Sequence, residues 1–367
     1  GAQLVEGSTA KDYQKTETRL NIPRLDYSNG TCPSILVEPQ RTNLLAYSEQ
    51  FDNAGYWSTY QSTITGNTTT APNGTLTADT LTALANTGGD AYRLIAFSGT
   101  YTASCYIKAG TSNKARIGFS SGEVVFYDLS TGVVTTSGVV TGSMVDAGNG
   151  WWRCIATVNS TTIYTAFSND GTNGQTVYLW GAQLEAGSYA TSYIPTTSAS
   201  VTRNADVISK TGISSLIGQT EGTLFVDLDL SQIETQALSV DTLMMLNDGT
   251  TNNEIAILLD VPSGNPRTLL GLITSGGTYQ TLIYDSSIAT ETRYKIALAY
   301  KANDVVMYIN GQLIGTDTSA SIPTTSNLSL SKRADGSWTN DCQTLYNAVA
   351  LWKTRLTNTQ LAELTSL

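Results

Sequence analysis

The sequence predicts an all-β protein: two antiparallel β-sandwich (jelly-roll) modules in series, closed by one short C-terminal helix. Three observations predict it. Several stretches alternate apolar and polar residues with period two, the spacing of a strand with one wet face. Gly, Thr, Ser and Asn crowd the chain while charged residues make up only 14%, a composition suited to many short strands joined by turns. The length, 367 residues, exceeds one ordinary sandwich and fits two.

The elements follow in order. In residues 101–108, Tyr101, Ala103, Cys105 and Ile107 share a face opposite Thr102, Ser104 and Lys108. After the turn Gly148-Asn149-Gly150, Trp152, Cys154, Ala156 and Val158 line one side of the next strand. Leu224, Val226, Leu228 and Leu230 point inward in another, leaving Asp227 and Asp229 on a solvated face; Tyr294, Ile296, Leu298 and Tyr300 repeat the pattern opposite Lys295 and Lys301. Asn310-Gly311 supplies the φ > 0 residues of a tight hairpin between residues 305–309 and 312–315. Thr357 reads as an N-cap, Gln360 completes a capping box and Leu356 can staple to Leu361. A helix over residues 358–364 is therefore expected to lie against the last sandwich. Pro195 and the small polar run after it place a module boundary near residues 194–203. The division expected is 1–42, a terminal strand plus an extended connector laid over the following module; 43–194, a first sandwich; and 195–367, a second.

Residues 1–42 include an internal repeat. Gly1-Ala2-Gln3-Leu4 matches Gly181-Ala182-Gln183-Leu184, and at the constant offset of 180 eight of the first 13 positions are identical. The second copy ends a sandwich. The first is expected to end a preceding module of the same type, which would make the chain part of a longer protein, or else to add a strand to a neighbouring subunit.

Composition removes whole classes of chemistry. There is no histidine, so Ser-His-Asp and Cys-His nucleophiles and His-based zinc sites are excluded. The four cysteines lack metal-type spacing; Cys105 and Cys154, on apolar strand faces, read as packed thiols or as a buried disulfide. A net charge of −10 with no basic stripe argues against nucleic acid, and no apolar run is long enough for a membrane-inserted helix.

What remains is binding. A sugar site offers an exposed aromatic ring to a C–H face, with amides and carboxylates for hydroxyls. Trp57 and Tyr60, in a Tyr56–Tyr60 aromatic cluster, could form one platform, with Trp57 as a core anchor the plainer reading. Trp151 and Trp152 are adjacent, so a strand points one in and one out; Trp152 shares the core face, leaving Trp151 as the candidate ring. Trp338, in the polar loop 333–340, reads as a ligand contact or a loop plug, and Trp180 as packing. Asp227 and Asp229 have spacing a glycosidase pair could use, yet surface solubilisation is the plainer account. The oxygen-rich runs 169–174 and 247–249 could hold Ca2+ through Asp170, Asn173 and Asp248; tight turns explain them more economically, and no cofactor is required.

Certain motifs are familiar. Ile22-Pro23-Arg24-Leu25-Asp26-Tyr27, Cys32-Pro33-Ser34 through Arg41-Thr42-Asn43-Leu44-Leu45, Ser48-Glu49-Gln50-Phe51-Asp52-Asn53, Gly148-Asn149-Gly150-Trp151-Trp152-Arg153 and Trp180-Gly181-Ala182-Gln183-Leu184-Glu185 resemble those of bacteriophage tail-fibre and head-fibre proteins, which carry carbohydrate-binding-module-like jelly rolls. The second half, with Asn310-Gly311 and the ending Val349-Ala350-Leu351-Trp352-Lys353-Thr354-Arg355-Leu356-Thr357, looks like a concanavalin A-like, laminin-G-type sandwich. The resemblance implies a non-catalytic adhesive role at a virion surface. Its implied partners are bacterial surface glycans, other virion proteins and further copies of the chain, a trimer being favoured. A glycan depolymerase or its accessory, a purely architectural spacer and a secreted adhesin are the alternatives.

Overall fold

The computed structural model describes residues 23–27, 32–120, 123–232, 239–261, 267–285, 288, 293–330, 332–337 and 343–367. The expected repeat at residues 1–13, Trp338 and Cys342 lie outside them. The described chain is all β apart from a 3-10 turn and one α-helix. It forms two compact units. One is Pro39–Ala205; the other joins residues 23–38 to Asp206–Ser231 and Ser239–Leu367.

The unit Pro39–Ala205 is organised by two unusually long strands, Gly89–Ala109 and Trp151–Asn169, which pair from Trp151↔Lys108 to Asn169↔Gly89 with one bulge at Thr162/Tyr164. Each half of this ribbon recruits different neighbours. Residues 101–109 pair with Thr176–Ala186 and residues 152–158 with Val140–Asp146. Residues 166–169 pair with Lys114–Ser120 and residues 90–92 with Ser58–Tyr60. Side chains from both halves meet in one core that includes Ala91, Phe167, Ile117 and Tyr127 together with Cys105, Ile107, Cys154 and Leu179. The predicted alternations at 101–108 and 152–158 are therefore the core faces of one continuous ribbon. Cys105 and Cys154 stand opposite each other in register as free thiols. Complete burial pushes both pKa values well up, which keeps them protonated and inert.

Asn43 locks the chain entry of this unit to its exit. Its Nδ2 donates to the carbonyls of Ala182 and Ile194, and its Oδ1 accepts from the amides of Leu45 and Leu184. The buried Gln183 and Glu185 extend the lock: Gln183 Oε1 accepts from the Ile194 amide, and Glu185 accepts from Gln183 Nε2 and from both the amide and hydroxyl of Thr191. Residues 194–203, expected as a linker, are thereby clamped down. Thr196 donates to the Leu45 carbonyl, and Val201–Arg203 pairs with Arg41–Asn43.

The other unit is an antiparallel β-sandwich of a seven-stranded and a six-stranded sheet. The expected connector contributes to it. Ser34–Val37 pairs with Gln343–Trp352 and Arg24–Asp26 pairs with Ser34–Val37. Prolines and turns flank these short strands, which hides them from a periodicity reading; Val37 is fully buried. Glu38 and Asp206 are joined backbone to backbone, Glu38's amide also reaches the Asp206 carboxylate, and Arg24 bonds both carboxylates. A second difference concerns Asp227. It is buried, and Arg293 grips both its oxygens while Asn347 bridges it to Asp229. Burial opposes its charge, but the bonds from Arg293 and Asn347 hold its pKa below the usual carboxylate range. The pair is a structural clasp where a solvated face was expected, because strand Arg293–Lys301 sets Arg293 opposite Asp229, beside Asp227.

The Asn310-Gly311 hairpin forms with φ of 47° and 81°. The helix runs Asn358–Thr365 with the expected Thr357–Gln360 capping box, and Leu361 packs on Phe225, Ala297 and Tyr308, with Leu356 at its side. Thr357→Ala is expected to lower stability by about 1 kcal/mol, and Leu361→Ala by about 2–5 kcal/mol, in urea unfolding followed by tryptophan fluorescence. Equal, negligible effects would mean that the helix does not dock.

Candidate functional site

The jelly-roll unit Pro39–Ala205 holds a pocket of about 390 Å³ lined by Glu49, Gln50, Asp52, Asn53, Asn67 and Thr77. That is near the lower end of the range for small-ligand sites. Two segments build it. The turn after the Asn43 lock carries Glu49 to Asn53, and its amides bond back within the turn, Gln50 to the Tyr47 carbonyl and Asn53 to that of Gln50. Phe51, buried between the lining residues, stacks on Trp57 at 4.7 Å and anchors the turn to the core. The opposite wall comes from Ser62–Thr69 and the approach to Ala78–Ala83.

One buried carboxylate joins the two walls. Asp79 is 1% exposed; its Oδ1 accepts from the Asn67 amide at 2.8 Å and its Oδ2 from the Asp52 amide at 3.2 Å. Asn67 takes φ of 55°, which aims that amide at Asp79. Gly66 lets the walls approach: a Cβ there would collide with the Asp52 carboxylate. Burial raises the Asp79 pKa to about 6, helped by the nearby Asp52 charge and opposed by the backbone amides of Asn67, Asp52 and Phe51.

An aromatic cluster backs the pocket. Trp180, Tyr193 and Tyr106 pack with ring centroids 4.9 to 6.0 Å apart. Their polar tips hold lining residues in place. Trp180 Nε1 donates to Thr77 Oγ1 at 3.1 Å, and the Tyr193 hydroxyl donates to Glu49 Oε1 at 3.2 Å while bonded to Ser48. Chemically, the lining is a set of hydroxyl-binding groups: two carboxylates, three amides and one hydroxyl.

None of the described residues read from sequence as ligand or metal contacts lines this pocket. Trp57 is 3% exposed and donates to the Tyr47 carbonyl, so it is a core anchor. Trp151 does face away from the main core, as alternation requires, but the second face of the sheet is itself covered there. It is 1% exposed, packs with Ala71, Ala78 and Trp180, and donates to the Thr70 carbonyl. Trp152 packs partly against the main core. Tyr60 is exposed, on Ser58–Tyr60, at the end of the ribbon where it pairs with Asp90. Asp170 bonds Arg116, Asn173 sits exposed in a turn, and Asp248 accepts from the amide and hydroxyl of Thr250 and from Asn253. Among the described residues no group of three His, Cys, Asp or Glu is placed to hold a metal ion. The pocket had one legible sign, the oxygen-rich run Ser48-Glu49-Gln50 and Asp52-Asn53 around a single Phe51; Asn67 and Thr77 reach it only through the fold.

Residues 231–362 match the sequence model of the concanavalin A-like lectin/glucanases superfamily. Comparison with curated proteins gives no match. Among solved structures, the chain is similar to the CBM40 module of the Ruminococcus gnavus IT-sialidase at 14% identity and a TM-score of 0.34, over 43% of this chain and 98% of that one. It is similar to a Limulus polyphemus SAP-like pentraxin at 14% identity and a TM-score of 0.31, over 40% and 70% of the two chains. A Caenorhabditis elegans galectin follows at 11% identity and a TM-score of 0.25, over 40% and 89%. Likeness at this level assigns neither a ligand nor a site to this chain.

The raised pKa of Asp79 has a definite sign. The folded state holds this proton more tightly than the unfolded chain, whose Asp titrates at about 3.9. Its contribution is therefore fully present below that value and is lost as pH rises through about 6. Relative to Asp79→Asn, the wild-type melting temperature is expected to fall between pH values of about 4 and 7; a difference independent of pH would contradict the assignment.

Proposed function

We propose that the protein is a non-catalytic glycan-binding protein and that the Glu49–Asn53, Asn67, Thr77 pocket is where its jelly-roll unit holds a sugar. The observation that carries this reading is the pocket's lining. Carboxylate and amide groups of this kind accept and donate to sugar hydroxyls, and the fold places four of the six lining residues: Asp79 fixes the backbone of Asp52 and Asn67, Trp180 holds the Thr77 hydroxyl, and Tyr193 holds the Glu49 carboxylate. Preorganised polar groups lose little entropy on binding. Glu49 is tied to a phenol and Asp52 stands open to solvent, an arrangement suited to holding a hydroxylated ligand.

The proposed setting is the surface of a phage particle. The support is the sequence resemblance to fibre proteins, and the lectin-like second sandwich is in keeping with it. There the chain attaches to bacterial surface glycans, beside other virion proteins and in an oligomer whose repeated copies raise weak single-site affinity by avidity. No cofactor is needed in this reading. If Ca2+ does contribute, calorimetry will show heat on its addition that is lost on Asp170→Ala where Asp170 and Asn173 hold it, and on Asp248→Ala where Asp248 does.

A glycan array probed with the labelled 367-residue chain is expected to give discrete positive spots. Asp52→Ala and Asn67→Gly, the glycine keeping the positive φ of position 67 free of strain, should each weaken the best spot about tenfold or more, a loss of roughly 1.4 kcal/mol or more, with little change in melting temperature. A blank array would favour the architectural spacer, and a fall in the molecular mass of capsular polysaccharide on incubation would favour the depolymerase.

A further inference from the structure

The cavity and its fixed walls make the jelly-roll site; the charge of its lining selects what enters. Two of its six lining residues are acids, Glu49 and Asp52, and none is a lysine or arginine. A third acid, the buried Asp79, joins the walls, and the Asp52 charge adds to burial in raising its pKa. Elsewhere in the same unit, partly exposed carboxylates are answered by cations. Arg116 bridges Asp90 and Asp170, and Lys114 pairs with Asp128. Asp52 is different: it is exposed, and among the described residues no cation pairs with it.

Asp52 is also placed. Its amide is tied to Asp79, and its carboxylate lies against Gly66, where a Cβ would strike it. The carboxylate therefore stands between the turn that carries it and the opposite wall. Glu49 is held by the Tyr193 phenol at 3.2 Å. The remaining side chains suit hydroxyls. Asn53 Oδ1 accepts from the Gly55 amide at 3.1 Å, which leaves its Nδ2 to donate, and Gln50 and Asn67 are exposed in the same lining.

Charge decides which sugar such a pocket takes. A uronate or other acidic sugar would set a further negative group beside Glu49 and Asp52, with no cation in the lining to offset it. A neutral sugar gains neutral hydrogen bonds to the amides and carboxylates. A sugar with a free amino group gains those and, in addition, an ammonium–carboxylate bond, in which both partners are charged and the bond is correspondingly stronger. Partial burial protects that bond from screening by salt. The acidity of the whole chain, −10, favours a cationic ligand at longer range.

We propose that the pocket is selective for a cationic amino sugar, a hexosamine residue whose amino group is not acetylated. Its ammonium group sits on the Asp52 and Glu49 carboxylates, and its ring hydroxyls meet the side-chain amides of Gln50, Asn53 and Asn67. The inference rests on the reading of the pocket as a glycan site and adds to it the class of sugar.

The test compares β-1,4-linked tetrasaccharides that differ only at C2: the glucosamine tetramer with free amino groups, its N-acetylated form, and cellotetraose. Tetragalacturonate is the anionic probe. Each is titrated calorimetrically into the 367-residue chain at about pH 6.5, where such an amino group is protonated, with a chelator present to keep divalent cations off the carboxylates. The free-amine tetramer is expected to bind about tenfold or more tighter than the acetylated form and cellotetraose, a preference that shrinks as salt rises toward about 0.5 M. Tetragalacturonate is expected not to bind. Asp52→Asn, which keeps the shape of the side chain, should erase most of the preference and change cellotetraose binding little. Asp146→Asn removes the same charge from the same unit outside the lining, and asparagine can still accept from the Gly148 amide as Asp146 does; the preference should survive it. The proposal is overturned if the free amine does not bind, if cellotetraose or the acetylated tetramer binds as tightly, if Asp52→Asn keeps the preference, or if Asp146→Asn abolishes it. Among those outcomes, cellotetraose binding that is lost in Asp52→Ala and Asn67→Gly would still uphold the pocket, whereas binding of every probe unaltered by those two variants would remove the pocket and the proposal together.

Discussion

The jelly-roll site depends on one buried carboxylate. Asp79 is almost sealed from water, yet it binds the backbone of both walls of the pocket, through the amides of Asn67 and Asp52. Burying an acid is costly unless donors surround it, and its raised pKa records that cost. What the carboxylate achieves is placement. Without it, the turn carrying Glu49 to Asn53 and the strand carrying Asn67 would have no shared anchor, and the lining groups would lose their common geometry. Gly66 completes the arrangement by leaving room for the Asp52 carboxylate.

Other buried polar groups of the same unit serve its closure. Asn43 makes its four bonds to both ends of the unit, and Gln183 and Glu185 fasten the segment that follows the last long strand. The motifs that carry the resemblance to fibre proteins, Arg41 to Leu45 and Trp180 to Glu185, are thus largely the residues of this lock. They identify a way of closing a jelly roll, and they do not by themselves identify a ligand. The residues that line the pocket sit beside the lock, in Glu49 to Asn53, so the position of the site follows from the closure even though its chemistry does not.

Much of the fold was legible because its signals are local. Period-two alternation at 101–108 and 152–158 reports the core faces directly, the Asn310-Gly311 pair needs only its own backbone angles, and the Thr357–Gln360 box is complete within four residues. What escaped is set by distant partners. Trp151 points away from the main core as alternation demands, yet Ala71, Ala78 and Trp180 arrive from elsewhere to cover it. Asp227 looked solvated until Arg293 and Asn347 were brought to it by neighbouring strands. Ser34–Val37 reads as a connector because its pairing partner, Gln343–Trp352, lies at the far end of the chain. The site was hardest to see for the same reason: Asp52, Asn67, Thr77 and Asp79 come together only when the strands pair.

The most direct measurement is a backbone amide chemical-shift map of the isotopically labelled chain, recorded during titration with the tightest-binding glycan. The account of the jelly-roll unit predicts that its largest shifts fall on Glu49 to Asn53, Asn67 and Thr77, while the amides around Tyr60 and Trp151 stay still. Shifts centred on those aromatic positions, with the turn beside Asp79 unmoved, would contradict it.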